Sequence, residues 1–205
     1  DDPEPAFQPP EPPVNELTLV LEDPALYTEG GVRRGSGRAR LEFHPADGGP
    51  MVKSGRFDFV SPLGPDVADR IRWYIEDFPR YPFLEKILSR AEEVSGQLPE
   101  WGKALFDAIT ADESARAVLL EWKGEKAHER RFSIELDAAA PKNLPDERKA
   151  EFYEAVGILL STSWEILHDG RGFLFQGQQP VRVRRMQPNR TKKVAIPPQN
   201  VLRIL

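Results

Sequence analysis

Three runs of alternating apolar and polar residues near the start of the chain constrain its fold more than any other feature. They are Asn15 to Glu22, Gly37 to His44 and Val52 to Val60, and stretches rich in glycine and proline separate them. Alternation puts apolar side chains on one face of a strand, and short connections join antiparallel neighbours. The runs therefore predict an antiparallel meander with one buried face, with residues 45–50 as a hairpin loop.

Four stripes of apolar residues at helical spacing follow the meander. Each repeats at i, i+3 or i+4, and i+7, so each predicts a helix that buries one face. Gly64-Pro65-Asp66 is a typical helix start, and Pro79 is expected to end the first helix. Gly96 and Pro99 predict a break between the second helix and the third. The stripes are Val67 to Phe78, Phe83 to Leu98, Trp101 to Ile109 and Ala115 to Trp122.

The remainder of the chain mixes strands with one more helix. Glu129 to Leu136 alternates as a strand, Phe152 to Leu160 has helical spacing, and Val181 to Val183 alternates with arginines. A meander, then a helical block, then a mixed segment favours an α+β domain over a doubly wound one.

Composition limits the classes of site that the chain can hold. It contains no cysteine, which excludes disulfides, thiolate zinc sites and a cysteine nucleophile within these residues. That is compatible with a reducing cytoplasm, where we place the protein. No apolar run approaches the roughly 18 residues of a membrane helix. The net charge of −5 argues against bulk affinity for nucleic acid or anionic lipid.

The two ends of the sequence differ from the middle. Residues 1–14 are proline-rich and predict an extended linker to an upstream module. Residues 15–187 form the predicted α+β region. Residues 188–205 form a basic linker followed by the apolar Val201 to Leu205, which we expect to be the first strand of a following domain.

The stretch from Ser161 to Phe175 predicts a buried tryptophan, a tight reversal and a short strand. Trp164 and Glu165 precede His168-Asp169-Gly170-Arg171-Gly172, in which the glycines allow positive φ and Asp169 can hydrogen-bond its own turn. Phe173 to Phe175 is expected to be the strand.

Four stretches, in order, resemble the CHAT family of bacterial caspase-like proteins. Ser163 to Asp169 with Gly172-Phe173-Leu174 resembles the family's Pro-Trp-Glu-Leu-Leu, Asp, Gly-Phe-Leu segment, although Ser163 replaces the proline. The insertion before Trp164 is also longer than in the family. The other three stretches are Ile71 to Glu76, Trp101 to Phe106, and Val181 to Arg185 followed by Val201 to Leu205.

The resemblance implies a parent protein that is a cysteine endopeptidase with a His–Cys dyad. No residue of this chain matches that dyad, so the resemblance assigns no catalytic residue here. It implies a non-catalytic regulatory and scaffolding segment whose partners are a C-terminal protease domain and an upstream repeat or sensor module. No cofactor or metal is implied. The structural and interface candidates are Trp73, Trp101, Trp164, Glu165, Asp169, Arg182, Arg184 and Arg185.

Other interpretations of single motifs remain open from the sequence. A hydrolase built on Ser163, His168 and Asp169 would need a geometry that residues of one turn rarely provide. The acids at 66, 69, 76 and 77 suggest a metal, but interleaved arginines are typical of a solvated helix face. The segment 182–193 carries six cations and no acid, so the alternative function is a binding module for an acidic protein or nucleic acid. The alternative is that this basic segment is a charged edge strand with no binding function.

Overall fold

A computed structural model describes residues 13–81, 84–125, 128–136, 144–176 and 181–186. Within these ranges the alternating segments form six strands. Gly30 and Gly31 both take positive φ, 57° and 80°, and so make the two-residue hairpin that joins the first two strands. The strands are β1 (Val14–Glu29), β2 (Val32–His44), β3 (Val52–Lys53), β4 (Phe57–Val60), β5 (Glu129–Leu136) and β6 (Val181–Met186).

The six strands form one mixed sheet in the order β3-β2-β1-β5-β6, and β4 also pairs with β2. The pairs among β1 to β4 are antiparallel, whereas β5 lies parallel to β1 and β6 lies parallel to β5. Leu17 and Leu19 are aligned with Phe132 and Ile134 of β5. The chain therefore returns after the helical block to extend the sheet beside its first strand.

The helices lie on the face of the sheet that carries the apolar side chains. One buried cluster joins Leu17, Leu41 and Phe132 of the sheet to Leu105, Trp122 and Leu159 of the helices. No helix in the described ranges is long and apolar enough to cross a membrane. The helices are α1 (Pro65–Arg72), α2 (Glu85–Ile109), α3 (Glu113–Gly124) and α4 (Asp146–Ser161), with a π-helical turn at Trp73–Asp77 and 3-10 turns at Phe78–Arg80 and Trp164–Ile166.

The opposite face of the sheet carries paired charges. Arg40 contacts both Glu22 and Glu42, and Arg56 donates to Glu22 at 2.9 Å between Nε and Oε2. The arginine hydrogen bonds lower the pKa of Glu22, so this carboxylate stays ionised among its partners. Alternation along the strands thus separates an apolar layer from a charged one.

The α+β class predicted from the sequence is confirmed, with a meander followed by helices and then mixed elements. The hairpin loop at 45–50 is found between β2 and β3. The third alternating run splits into β3 and β4, which both pair with β2. Splitting is possible because residues 54–56 leave the strand between two short ladders.

Three local predictions were wrong. Pro79 does not end the first helix: α1 ends at Arg72, and Pro79 lies inside the 3-10 turn Phe78–Arg80 that follows the π-helical turn. No break occurs at Gly96 and Pro99: α2 continues through both to Ile109. The apolar positions on either side share one helical period, from Ala91 and Val94 to Leu105, so continuous burial outweighs the one hydrogen bond that proline removes. Phe173 to Phe175 is a turn with a single bridge from His168 to Phe173, because this segment pairs only with its own reversal.

Candidate functional site

Trp164 is the centre of a junction where several elements meet. Its side chain is 0% exposed, and its ring centroid lies 5.8 Å from Phe59 of β4 and 6.5 Å from Phe132 of β5. Its indole Nε1 donates to the carbonyl of Leu159 in α4 at 3.3 Å. The 3-10 turn is therefore fixed to the sheet by aromatic contact and to α4 by a hydrogen bond.

Helix α2 approaches this turn at Gly102 without any intervening side chain. The His168 amide donates to the Gly102 carbonyl at 3.2 Å. A Cβ atom at position 102 would lie 1.9 Å from the carbonyl oxygen of Ile166. Only glycine permits this distance, so the Trp101-Gly102 stretch and the Trp164 stretch are in direct backbone contact.

Arg185 joins β6 to the same junction through hydrogen bonds. Its guanidinium donates to both carboxylate oxygens of Glu165, at 2.7 Å and 2.9 Å, and to the carbonyls of Leu160 at 2.9 Å and Thr162 at 3.0 Å. Four bonds from one planar group need the fork of an arginine, because a lysine ammonium cannot reach these acceptors together. The predicted interface residues Glu165 and Arg185 are thus partners of each other.

Helix α1 and the π-helical turn are joined to α2 by cation–π contacts. The Arg70 guanidinium lies 5.3 Å from the Trp101 ring centroid, and that of Arg90 lies 3.9 Å from the Trp73 ring. Trp73, one of the structural and interface candidates, therefore packs against a neighbouring helix. Within the described residues all four family-like stretches come together around Trp164 and α2.

Asp169 holds the reversal that follows the 3-10 turn. Its Oδ1 accepts from the amides of Arg171 at 2.9 Å and Gly172 at 3.0 Å, while its Oδ2 accepts from Lys123 of α3. Burial alone would raise the pKa of Asp169, but the Lys123 bond and the two amides lower it to about 2. The predicted turn role of Asp169 is present, and the ion pair to α3 adds to it.

The geometry of a catalytic triad is absent from Ser163, His168 and Asp169. The His168 Nδ1 atom accepts from the Gly170 amide at 3.0 Å, and the ring packs edge-on against Phe173 at 5.0 Å between centroids. Asp169 is directed to Lys123 and its own turn rather than to the imidazole. In a triad the carboxylate would bond to that histidine nitrogen.

The arginines of β6 each face an acid of the same chain. Arg184 lies 2.6 Å from Glu16, Arg182 lies 3.8 Å from Glu129, and Arg185 binds Glu165. Their charges are balanced locally, which weakens the basis for nucleic-acid binding at this strand. Residues 187–193, which carry the rest of the basic segment, lie outside the described residues, as do the predicted segment 188–205 and residues 1–12 of the predicted linker 1–14. The last residue of that linker, Val14, belongs to β1.

The acids on α1 behave as a solvated helix face. Asp69 pairs with Arg72 at 2.6 Å, and Arg70 pairs with Glu93 of α2 rather than with Asp66. Among the described residues, no group of three His, Asp or Glu side chains is placed to hold a metal.

Sequence reasoning missed two residues that define this region. Gly102 stands out in the sequence only within the Trp101 to Phe106 stretch, although a glycine beside a tryptophan inside a helical stripe signals close backbone approach. Lys123 carries no signal in the sequence, because its partner Asp169 lies 46 residues away.

Comparison with known proteins leaves the chain without an assigned family. No protein-family model matches it, and no curated protein matches it. One solved structure that it matches is a nucleoside triphosphate hydrolase from Neospora caninum, at 10% identity and a TM-score of 0.28. The match covers 85% of this chain and 29% of that one. A likeness at this TM-score carries no conclusion about fold or activity.

Proposed function

We propose that this chain is a non-catalytic scaffolding and regulatory segment of a CHAT-like cysteine protease. In this proposal it supports an adjoining protease domain and relays signals from an upstream module. The family is taken from the resemblance of the four stretches. The observation that carries the proposal is that the described parts of these stretches meet at α2 and at the Trp164 turn.

The junction could transmit movement between elements, because a continuous series of contacts links the helices to β6. Arg185 joins β6 to the 3-10 turn, Gly102 joins that turn to α2, and α2 joins the π-helical turn through Arg90. A displacement of α1 or α2 would therefore be transmitted to the strand from which the chain continues towards residue 205. Rigid elements with direct contacts are what such coupling requires.

The reading frame beyond Leu205 tests the proposal first. We expect it to continue through a strand that ends in His-Gly and a later strand that ends in Cys. In the corresponding longer protein, Arg185→Lys should lower peptidase activity while leaving the dyad intact, since about 1 to 2 kcal/mol of junction hydrogen bonding would be lost. Peptidase turnover of the purified longer protein is the measurement.

The matched control is Arg116→Lys, the same replacement at an exposed position of α3. It should leave peptidase activity unchanged. A reading frame that lacks the His-Gly and Cys strand ends would overturn the protease assignment. Equal activity in Arg185→Lys and the parent protein would overturn the relay through the junction.

A further inference from the structure

A cavity of about 280 Å³ lies at the amino end of β5, on the helical side of the sheet. Its lining consists of Trp122 and Lys123 of α3, Arg130 of β5, and Asp169 with Arg171 to Leu174 of the reversal. Three cations and one carboxylate face this space, which leaves a local net charge of +2. The chain as a whole is acidic, so this is a site of opposite sign to its average surface.

Arg130 is the unusual group in this cavity. Its guanidinium lies 5.3 Å from the ring centroid of Trp122, and its Nε atom is buried. Among the described residues that Nε has no hydrogen-bond partner. Burial lowers the pKa of Arg130, and no acid within the described ranges opposes that effect. Because that Nε is out of reach of water, an anion in the cavity would be bound by the two Nη atoms of the guanidinium instead.

The one carboxylate that lines the cavity, Asp169, already has hydrogen-bond partners. Asp169 binds Lys123 and two backbone amides, so its oxygens do not serve Arg130. Arg171 lies exposed at the rim and adds a second cation without a described ion pair. The positive charges of Arg130 and Arg171 are therefore not neutralised by the carboxylate that lines the cavity.

Asn15 provides a second donor at the same end of the sheet. It is 2% exposed and is aligned with Arg130 across the parallel β1–β5 pair, so both side chains leave the sheet on the same face. Its Oδ1 accepts from the Ala46 amide at 2.8 Å, which fixes the orientation of the side-chain amide. Its Nδ2 is buried and has no partner among the described residues.

We propose that this cavity binds a single anionic group, a carboxylate or a phosphate, through Arg130 with Arg171 at its rim. A planar guanidinium matches both kinds of anion in bidentate geometry. Trp122, Phe173 and Leu174 give the cavity apolar walls for whatever bears the anion. The anion can come from a free small molecule or from an acidic side chain of a peptide, and both sources present the same chemistry. The proposal is independent of the protease assignment.

The test is a titration of the full chain followed by the tryptophan indole signals in a nitrogen-15 correlation spectrum. Trp122 donates its Nε1–H to the Asn15 carbonyl at 3.0 Å, so its indole signal reports on the cavity. A Trp122→Phe variant assigns that signal among the four tryptophans. The probes are sodium phosphate and acetyl-Gly-Glu-Gly-amide, each compared with sodium chloride at equal ionic strength.

We expect a saturable shift of the Trp122 signal with at least one probe. Saturation by phosphate points to a free anion as the source, and saturation by the peptide alone points to an acidic side chain. Arg130→Gln should weaken binding about tenfold, the loss expected for one hydrogen bond to a charged group.

Two further variants keep the test decisive. Arg171→Gln lies at an exposed position and should weaken binding less than Arg130→Gln does, so it serves if the latter fails to fold. Arg116→Gln removes an equal charge elsewhere on α3 and should bind as the parent chain does. No saturable shift with either probe, or equal weakening by Arg116→Gln and Arg171→Gln, would overturn the proposal.

Discussion

At the scale of single residues, partners rather than residue types decide what the charged groups do. Asp169 accepts three hydrogen bonds, and Arg185 donates four. Both side chains therefore hold the segments around the Trp164 junction together. Arg130 has the same chemistry as Arg185 but lacks a described acceptor for its buried Nε. The same residue type is therefore fully hydrogen-bonded at one position and incompletely hydrogen-bonded at the other.

Replacement of Asp169 by asparagine should destabilise the chain in a pH-dependent way. Asparagine can keep the turn hydrogen bonds through its oxygen but loses the ionic bond to Lys123. We expect a loss of about 1 to 2 kcal/mol at pH 7. The folded pKa of about 2 lies below the ordinary 3.8, so the stabilisation is complete above about pH 4 and is lost as pH falls towards 2. Urea unfolding of both proteins between pH 7 and pH 2.5 measures this.

Asp107→Asn is the matched control for this prediction. Its carboxylate pairs with Lys103 at 2.5 Å on an exposed part of α2, and exposed pairs of this type contribute about 0.3 to 0.5 kcal/mol. A free-energy difference between Asp169→Asn and the parent chain that stays constant from pH 7 to pH 2.5 would contradict the assigned role.

At the scale of elements, α2 is the helix on which the junction depends. It runs 25 residues, passes through Pro99, and places Leu105 and Ile109 in the core. Its contact with the 3-10 turn is made by backbone at Gly102. The helix therefore continues through Pro99, whereas at Gly102 it has no room for any side chain.

Two glycine substitutions on this one helix should have opposite effects. Gly102→Ala forces a Cβ atom to 1.9 Å from a backbone oxygen, so we expect a destabilisation of about 3 kcal/mol or more. A Cβ atom at Gly96 would meet nothing within 4 Å, and Gly96→Ala should stabilise by about 0.5 to 1 kcal/mol. Thermal unfolding of both variants tests the pair. A Gly102→Ala protein as stable as its parent would show that α2 and the turn separate freely.

At the scale of the whole molecule, one core connects the sheet to all four helices. Buried side chains of β1, β2 and β5 belong to the same cluster as those of α1 to α4. Parallel pairing of β5 with β1 also ties the later part of the chain to its beginning. No group of elements in the described ranges has a separate core that would let it unfold alone.

We therefore expect urea unfolding to be a single cooperative transition. Far-ultraviolet circular dichroism reports on backbone structure, and tryptophan fluorescence reports on side-chain packing at Trp101, Trp122 and Trp164. Both signals should give one midpoint, as two-state unfolding requires. Separate midpoints would mean that the helical block forms a unit of its own.

Local pattern in the sequence determined the elements and the class of this protein. Alternation predicted the meander and β5, helical spacing predicted where the helices lie, and Asp169 with its glycines predicted the turn, because each depends on residues close along the chain. Tertiary structure alone decided the parallel placement of β5 and β6, the continuity of α2 through Pro99, and the partners of Arg185 and Arg130. Those outcomes depend on burial and hydrogen bonding between segments far apart in sequence, for which no local spacing exists.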